Sequence, residues 1–236
     1  MTTLPRSLIA PAVALTLSAC SSGPPVPDWK LNAHSAQERA TSAYLSGKDR
    51  MAQSELARAR QEVGGTGKVS LAIRIELAQC AAQVAALVLD DCAGFERWRI
   101  DASPADLAYL HYLAGQRADA ALLPEQHRAV AGALATGNDA AASAAVTAIA
   151  DPLSRLVAAG AVLRAGHAAP SVLTVAVETA SDQGWRRALL AWLQTQALRA
   201  EKAGDRLAAE QVRRRMALVT ESGAGHTGSP ANTPNP

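Results

Sequence analysis

The side chains best suited to chemistry are few and far apart in this chain. There are three cysteines, Cys20, Cys80 and Cys92, and five histidines, His34, His111, His127, His167 and His226. No two histidines stand at a metal-ligand spacing and no His-Glu-x-x-His occurs, so no metal site is expected. The Gly-x-Ser-x-Gly elbow of serine hydrolases is absent. Gly64-Gly65-Thr66-Gly67 precedes Lys68 but lacks the spacing and the upstream strand of a phosphate-binding loop, so it reads as a flexible turn. Glu178 lies in an apolar segment, where burial would raise its pKa and suit it to general-acid work on a glycan. Nothing around it supplies an aromatic-rich glycan groove, and it reads as a surface residue. The expectation is a chain with no catalytic residues and no cofactor.

Cys20 stands apart because of what precedes it. Residues 1–19 carry a single charge, Arg6, followed by a run from Leu8 to Leu17 that is apolar except for Thr16. A basic start and a short apolar stretch make a secretory signal peptide. The run is shorter than the ~20 apolar residues that span a bilayer, and Pro5 and Pro11 oppose a buried helix. It ends Leu17-Ser18-Ala19-Cys20, which resembles the lipobox of bacterial lipoproteins. That resemblance implies that Cys20 becomes the first residue of the mature chain, with a diacylglycerol on its sulfur and an acylated amine. Two or more acyl chains anchor stably. In such proteins Asp at the next position retains the chain at the inner membrane. Ser21 there implies the outer membrane, facing the periplasm. Residues 20–31, beginning Cys-Ser-Ser-Gly-Pro-Pro-Val-Pro, then form a flexible, extended tether.

An oxidising compartment permits a bridge between Cys80 and Cys92. Residues 69–89 read as one long helix; unbroken to Cys92, it would hold the two cysteines ~18 Å apart, against the ~7 Å limit for a disulfide. Either the helix ends near Leu87 and the chain folds back, which Asp90, Asp91 and Gly94 favour, or no bridge forms.

About 217 of the 236 residues lie beyond the leader, enough for one sizeable domain or two small ones. The chain is rich in Ala and Leu and has one Phe, three Tyr and four Trp, which favours helices over strands. The net charge of +2 and the lack of a long basic run argue against a nucleic-acid partner. Arg213, Arg214 and Arg215 fan around a helix and read as solvated surface. Helices are predicted over 33–45, 49–63, 69–89, 104–114, 117–123, 124–136, 138–150, 152–164, 172–180, 185–203 and 205–219. A short strand is the alternative at 172–180. Segment 90–103 is a linker that can subdivide the 32–219 domain, with Phe95 and Trp98 pinning it over a helix groove. Residues 220–236 lack a hydrophobic anchor and are expected to be disordered.

The breaks between helices repeat a pattern. Gly47 is followed five residues later by Ala52, Gly115 by Ala120, Gly137 by Ala142 and Gly204 by Ala209. Gly ends one helix, and a small residue on the next lets the two backbones approach. This resembles the tetratricopeptide repeat, in which an aromatic residue stands three before the Gly and the second helix runs Ala-x3-large-x2-Ala. Tyr44, Gly47, Ala52, Leu56 and Ala59 match it. Tyr112, Gly115 and Ala120 match until Pro124 interrupts. Gly137, Ala142, Val146 and Ile149 match without the aromatic. Gly204, Ala209 and Met216 match, with Glu201 and Arg213 departing from the pattern. No continuous repeat period runs through the chain, and an irregular set of helical hairpins unrelated to the repeat is the alternative.

The expected fold is therefore all-α, an irregular TPR-like array of antiparallel hairpins. A hairpin array offers a concave face for peptides or helices. Arg39, Tyr44, His111, Tyr112, Arg187 and Trp192 are the candidate groove residues, on the first helix of each pair. The expected function is that of a non-enzymatic, lipid-anchored adaptor for a protein partner in the envelope. The alternatives are a cell-wall enzyme or its activator, which needs a catalytic group in a cleft, and a carrier of small apolar ligands, which needs a deep closed cavity.

Overall fold

The computed structural model describes residues 26–224. The leader, Cys20 and residues 225–236 of the expected tail lie outside the described residues. Within them the chain is all-α: eleven α-helices, two short 3-10 turns and no strand. The helices are α1 (Asp28–Leu45), α2 (Asp49–Gly64), α3 (Val69–Ala85), α4 (Ala93–Glu96), α5 (Pro104–Leu113), α6 (Glu125–Ala135), α7 (Asp139–Ala148), α8 (Pro152–Arg164), α9 (Pro170–Asp182), α10 (Arg186–Lys202) and α11 (Arg206–Ala224). The segment for which a strand was the alternative is α9.

Local chemistry accounts for most boundaries. At Gly47 the backbone turns left-handed (φ 79°), and Lys48 N donates to Ala43 O at 2.8 Å across the turn, the bond that closes a Schellman cap. The same turn recurs at Gly115, Gly137 and Gly204. Three of these four breaks join helices that fold back on each other: α1 on α2, α6 on α7 and α10 on α11. Ala52, Ala142 and Ala209 are buried in these pairs. Gly115 departs from the pattern. After it comes a single 3-10 turn (Ala120–Leu122) in place of the expected helix, and Ala120 is only half-buried. Pro124, which cannot continue a helix, instead sits at the N-cap of α6.

Three boundaries differ from the sequence expectation. α1 starts at Asp28, five residues early, with Pro27 as N-cap and the Asp28 carboxylate in the positive first turn. α11 continues through Thr220 to Ala224; the Thr220 and Ser222 hydroxyls donate to the carbonyls of Met216 and Val219, and Val219 packs on the core. α3 stops at Ala85, not Leu89. Leu87 takes φ 56° and Val88 N donates to Gln83 O, so the chain reverses without a glycine. The reversal brings Cys92 back to Cys80. The two are bonded with Cα atoms 5.5 Å apart.

α3 is the central element, packed on α1, α2, α5 and α8. Its partners include α10, because the buried Trp192 donates its indole N–H to Ala85 O at 3.0 Å. α8 crosses α3 where Gly160 meets Val84; a Cβ on Gly160 would stand 2.5 Å from the Val84 carbonyl oxygen. One contiguous buried cluster holds residues from both sides of segment 90–103. Phe95 is fully buried in it, and the Trp98 ring packs on it beneath the Arg97 guanidinium, 4.9 Å away. Beside them the buried Glu76 carboxylate accepts from Arg60 at 2.8 and 2.7 Å and from Arg97 at 3.3 Å.

Candidate functional site

The main concavity is a solvent-open groove of about 770 Å3 over α3. α1 forms one wall with Gln37, Glu38 and Thr41, and α3 supplies Leu77, Ala78 and Ala81. The N-terminal parts of α5, α6 and α8, together with Leu122–Pro124 and Trp185, complete the lining. Those helices have sequence-encoded starts. Ser103 and Asp106 form a capping box before α5: Asp106 N donates to Ser103 Oγ at 3.2 Å, and Ser103 N donates to the Asp106 carboxylate at 2.9 Å. Asp151 accepts from Ser154 N at 2.7 Å before Pro152 opens α8.

Three polar side chains with free hydrogen-bonding capacity interrupt this apolar lining. His127 is 2% exposed. Its Nδ1 lies 3.3 Å from the Tyr112 hydroxyl, while its Nε2 has no partner among the described residues. Burial lowers its pKa to about 4, so the ring is neutral at pH 7. If Nδ1 accepts the Tyr112 proton, Nε2 carries the N–H, a tautomer assigned from this contact. Tyr109 packs 5.8 Å from His127, ring centre to ring centre, and burial pushes its phenol well above the usual range. The Gln37 amide donates to Thr41 Oγ1 at 3.3 Å, leaving its carbonyl oxygen buried and unpaired. An unpaired buried carbonyl costs roughly 1–3 kcal/mol. The groove therefore offers an apolar floor in which the Tyr109 hydroxyl and His127 Nε2 have a valence left for an occupant, while the Gln37 oxygen is sealed off.

None of the six groove residues expected from the sequence lines it. Trp192 and Tyr112 are fully buried, and each turns its polar atom inward, to Ala85 O and to His127. They are core residues, because rings of this size fill the space left by Ala-rich helices. Arg39 faces α2 and pairs with Glu55 at 2.9 Å; that hydrogen bond draws the Glu55 carboxyl below its ordinary pKa. His111 is exposed away from the groove. Tyr44 and Arg187 do meet: the guanidinium lies 4.3 Å over the ring and also donates to Asp49, tying the first hairpin to α10. Burial pushes the Tyr44 phenol up, against the opposing effect of Arg187. Glu178 is exposed. Gln37, Tyr109, His127 and Trp185 were missed. The available signal was the set of helix starts at Ser103-Pro104, Pro124 and Asp151-Pro152, which converge on the groove.

Among the described residues no group of three His, Cys, Asp or Glu side chains is placed to hold a metal ion. No helix among them is long and apolar enough to cross a membrane. No protein-family model matches the chain, and no curated protein or solved structure matches it.

Proposed function

We propose that the chain is a non-enzymatic, lipid-anchored adaptor of the bacterial outer membrane, facing the periplasm and holding a protein partner in an envelope assembly. The open apolar groove carries this reading. It is built on helices cross-braced by the Cys80–Cys92 bond and the Trp192–Ala85 hydrogen bond, so a partner meets a preformed surface. Its openness suits a polypeptide better than a small enclosed ligand. The groove carboxylates Asp106 and Asp151 are engaged as helix caps and not poised for acid–base work. The TPR-like hairpins belong to the same proposal, as does the anchor. Leu17-Ser18-Ala19-Cys20 supports attachment at Cys20, from which residues 21–27 lead to α1.

The test is capture of a tagged chain from detergent-solubilised bacterial envelopes, beside Cys20→Ala and the groove-blocking Ala105→Trp. Ala105 is exposed at the groove edge, so the change spares the core. The expected result is membrane fractionation that depends on Cys20, and one stoichiometric protein partner that depends on Ala105. Recovery of lipid and wall fragments alone would sink the adaptor reading.

A further inference from the structure

We infer that the groove over α3 takes a basic amphipathic helix, an inference that rests on the adaptor reading and names the class of its partner. The chain as a whole is positive, with 23 Lys and Arg against 21 Asp and Glu. The groove reverses that sign: Glu38, Asp106 and Asp151 border it against the single guanidinium of Arg74. The Asp106 and Asp151 carboxylates outweigh the positive first turns of α5 and α8, each equivalent to roughly half a unit charge, so a net negative charge remains at those helix ends. A floor of Leu, Ala, Val and Pro under a carboxylate-rich rim complements a helix with an apolar stripe and Lys or Arg at its edges.

The other common modes of peptide recognition fit less well. Strand addition needs an exposed sheet edge, and the described residues contain no strand. Proline-rich segments dock on ladders of aromatic rings, whereas Tyr109 and Trp185 are the only Tyr or Trp side chains in this lining. A helix satisfies its own backbone and needs few partners from the groove. The spare valences of Tyr109 and His127 are left to select a polar side chain beside the apolar stripe.

Two 14-residue synthetic probes test this, with identical leucine faces and either lysine or glutamate flanks, titrated at low salt by fluorescence anisotropy against the lipidated chain in detergent. The Leu/Lys probe is expected to bind at least tenfold more tightly than the Leu/Glu probe. Glu38→Lys, an exposed change, should weaken it about fivefold by turning an attraction into a repulsion. Ala105→Trp should abolish binding, with circular dichroism checking that both variants stay folded. Equal binding of the two probes, blocked by Ala105→Trp, overturns the charge assignment and leaves the groove as a helix site. No binding of either probe, or binding that Ala105→Trp does not affect, overturns the docking reading itself. A fluorescent fatty acid binding in place of both probes overturns it in favour of a carrier.

Discussion

The close backbone crossing of α3 and α8 can be tested by adding one carbon atom. Gly160→Ala would place a Cβ 2.5 Å from Val84 O and 2.7 Å from Val84 Cγ1. The valine methyl can rotate away, but the carbonyl is backbone. It accepts from Leu87 N at 3.0 Å in the turn that ends α3, one residue before the carbonyl that receives the Trp192 indole. Ordinary contact begins near 3.4 Å, so α8 must retreat by most of an ångström or the turn must distort. Overpacking of this kind costs about 1–3 kcal/mol. Ala in place of Gly inside a helix returns about 1 kcal/mol. The steric term offsets or exceeds this gain, and a net loss of up to about 2 kcal/mol is expected, or up to roughly 4–8 °C in Tm for a domain of this size. Gly132→Ala on α6 supplies the control, because nothing lies within 4 Å of the added carbon. It should gain about 0.5–1 kcal/mol from propensity alone. Urea unfolding followed by circular dichroism, on the chain from residue 20 with Cys20→Ala, measures both. If Gly160→Ala proves as stabilising as Gly132→Ala, the close crossing of α3 and α8 is wrong.

Three further outcomes follow from the same contacts. Cys80→Ser with Cys92→Ser should lower stability by about 3 kcal/mol, the loop-closure value for a 12-residue separation, and dithiothreitol should reproduce the loss in the native chain. His127 titrates near 4 when folded and near 6.5 when unfolded, so the unfolded chain binds the extra proton between those values. Its contribution is complete above pH 6.5 and falls by about 3 kcal/mol as pH drops to 4; the stability gap between the native chain and His127→Gln should shrink over that window, and a constant gap would refute the burial. Glu76→Gln should cost about 2 kcal/mol by weakening the charge-assisted bonds to Arg60 and Arg97, read by urea unfolding; Glu55→Gln, whose Arg39 partner is exposed, should change little.

Turns and caps were legible in the chain because they are local. Gly47 and Ser103-Pro104 declare a helix end and a helix start within a few residues, and the structure places both there, with Asp106 completing a capping box. The end of α3 was only partly legible: an ending near Leu87 was one of two alternatives, and choosing it required Leu87 to adopt a conformation that its own side chain disfavours and that the surrounding packing holds. The groove residues were misassigned for a related reason. A helix pattern tells which residues share a face, but not which neighbour covers it. Tyr112 and Trp192 look like recognition residues until α6 and α3 bury them.

By itself the sequence determined an all-helical chain, its hairpin turns and most of its helix starts, since each depends on contacts between residues a few positions apart. Tertiary structure alone decided that Trp192 would reach Ala85, 107 residues away, and that Arg187 would reach Asp49, 138 residues away. Those contacts bring α10 onto the first three helices. The groove is likewise walled by residues from five helices and from the turn between α9 and α10, and no local rule couples them. Its position is set by how side-chain volumes pack around α3, which only the assembled core determines.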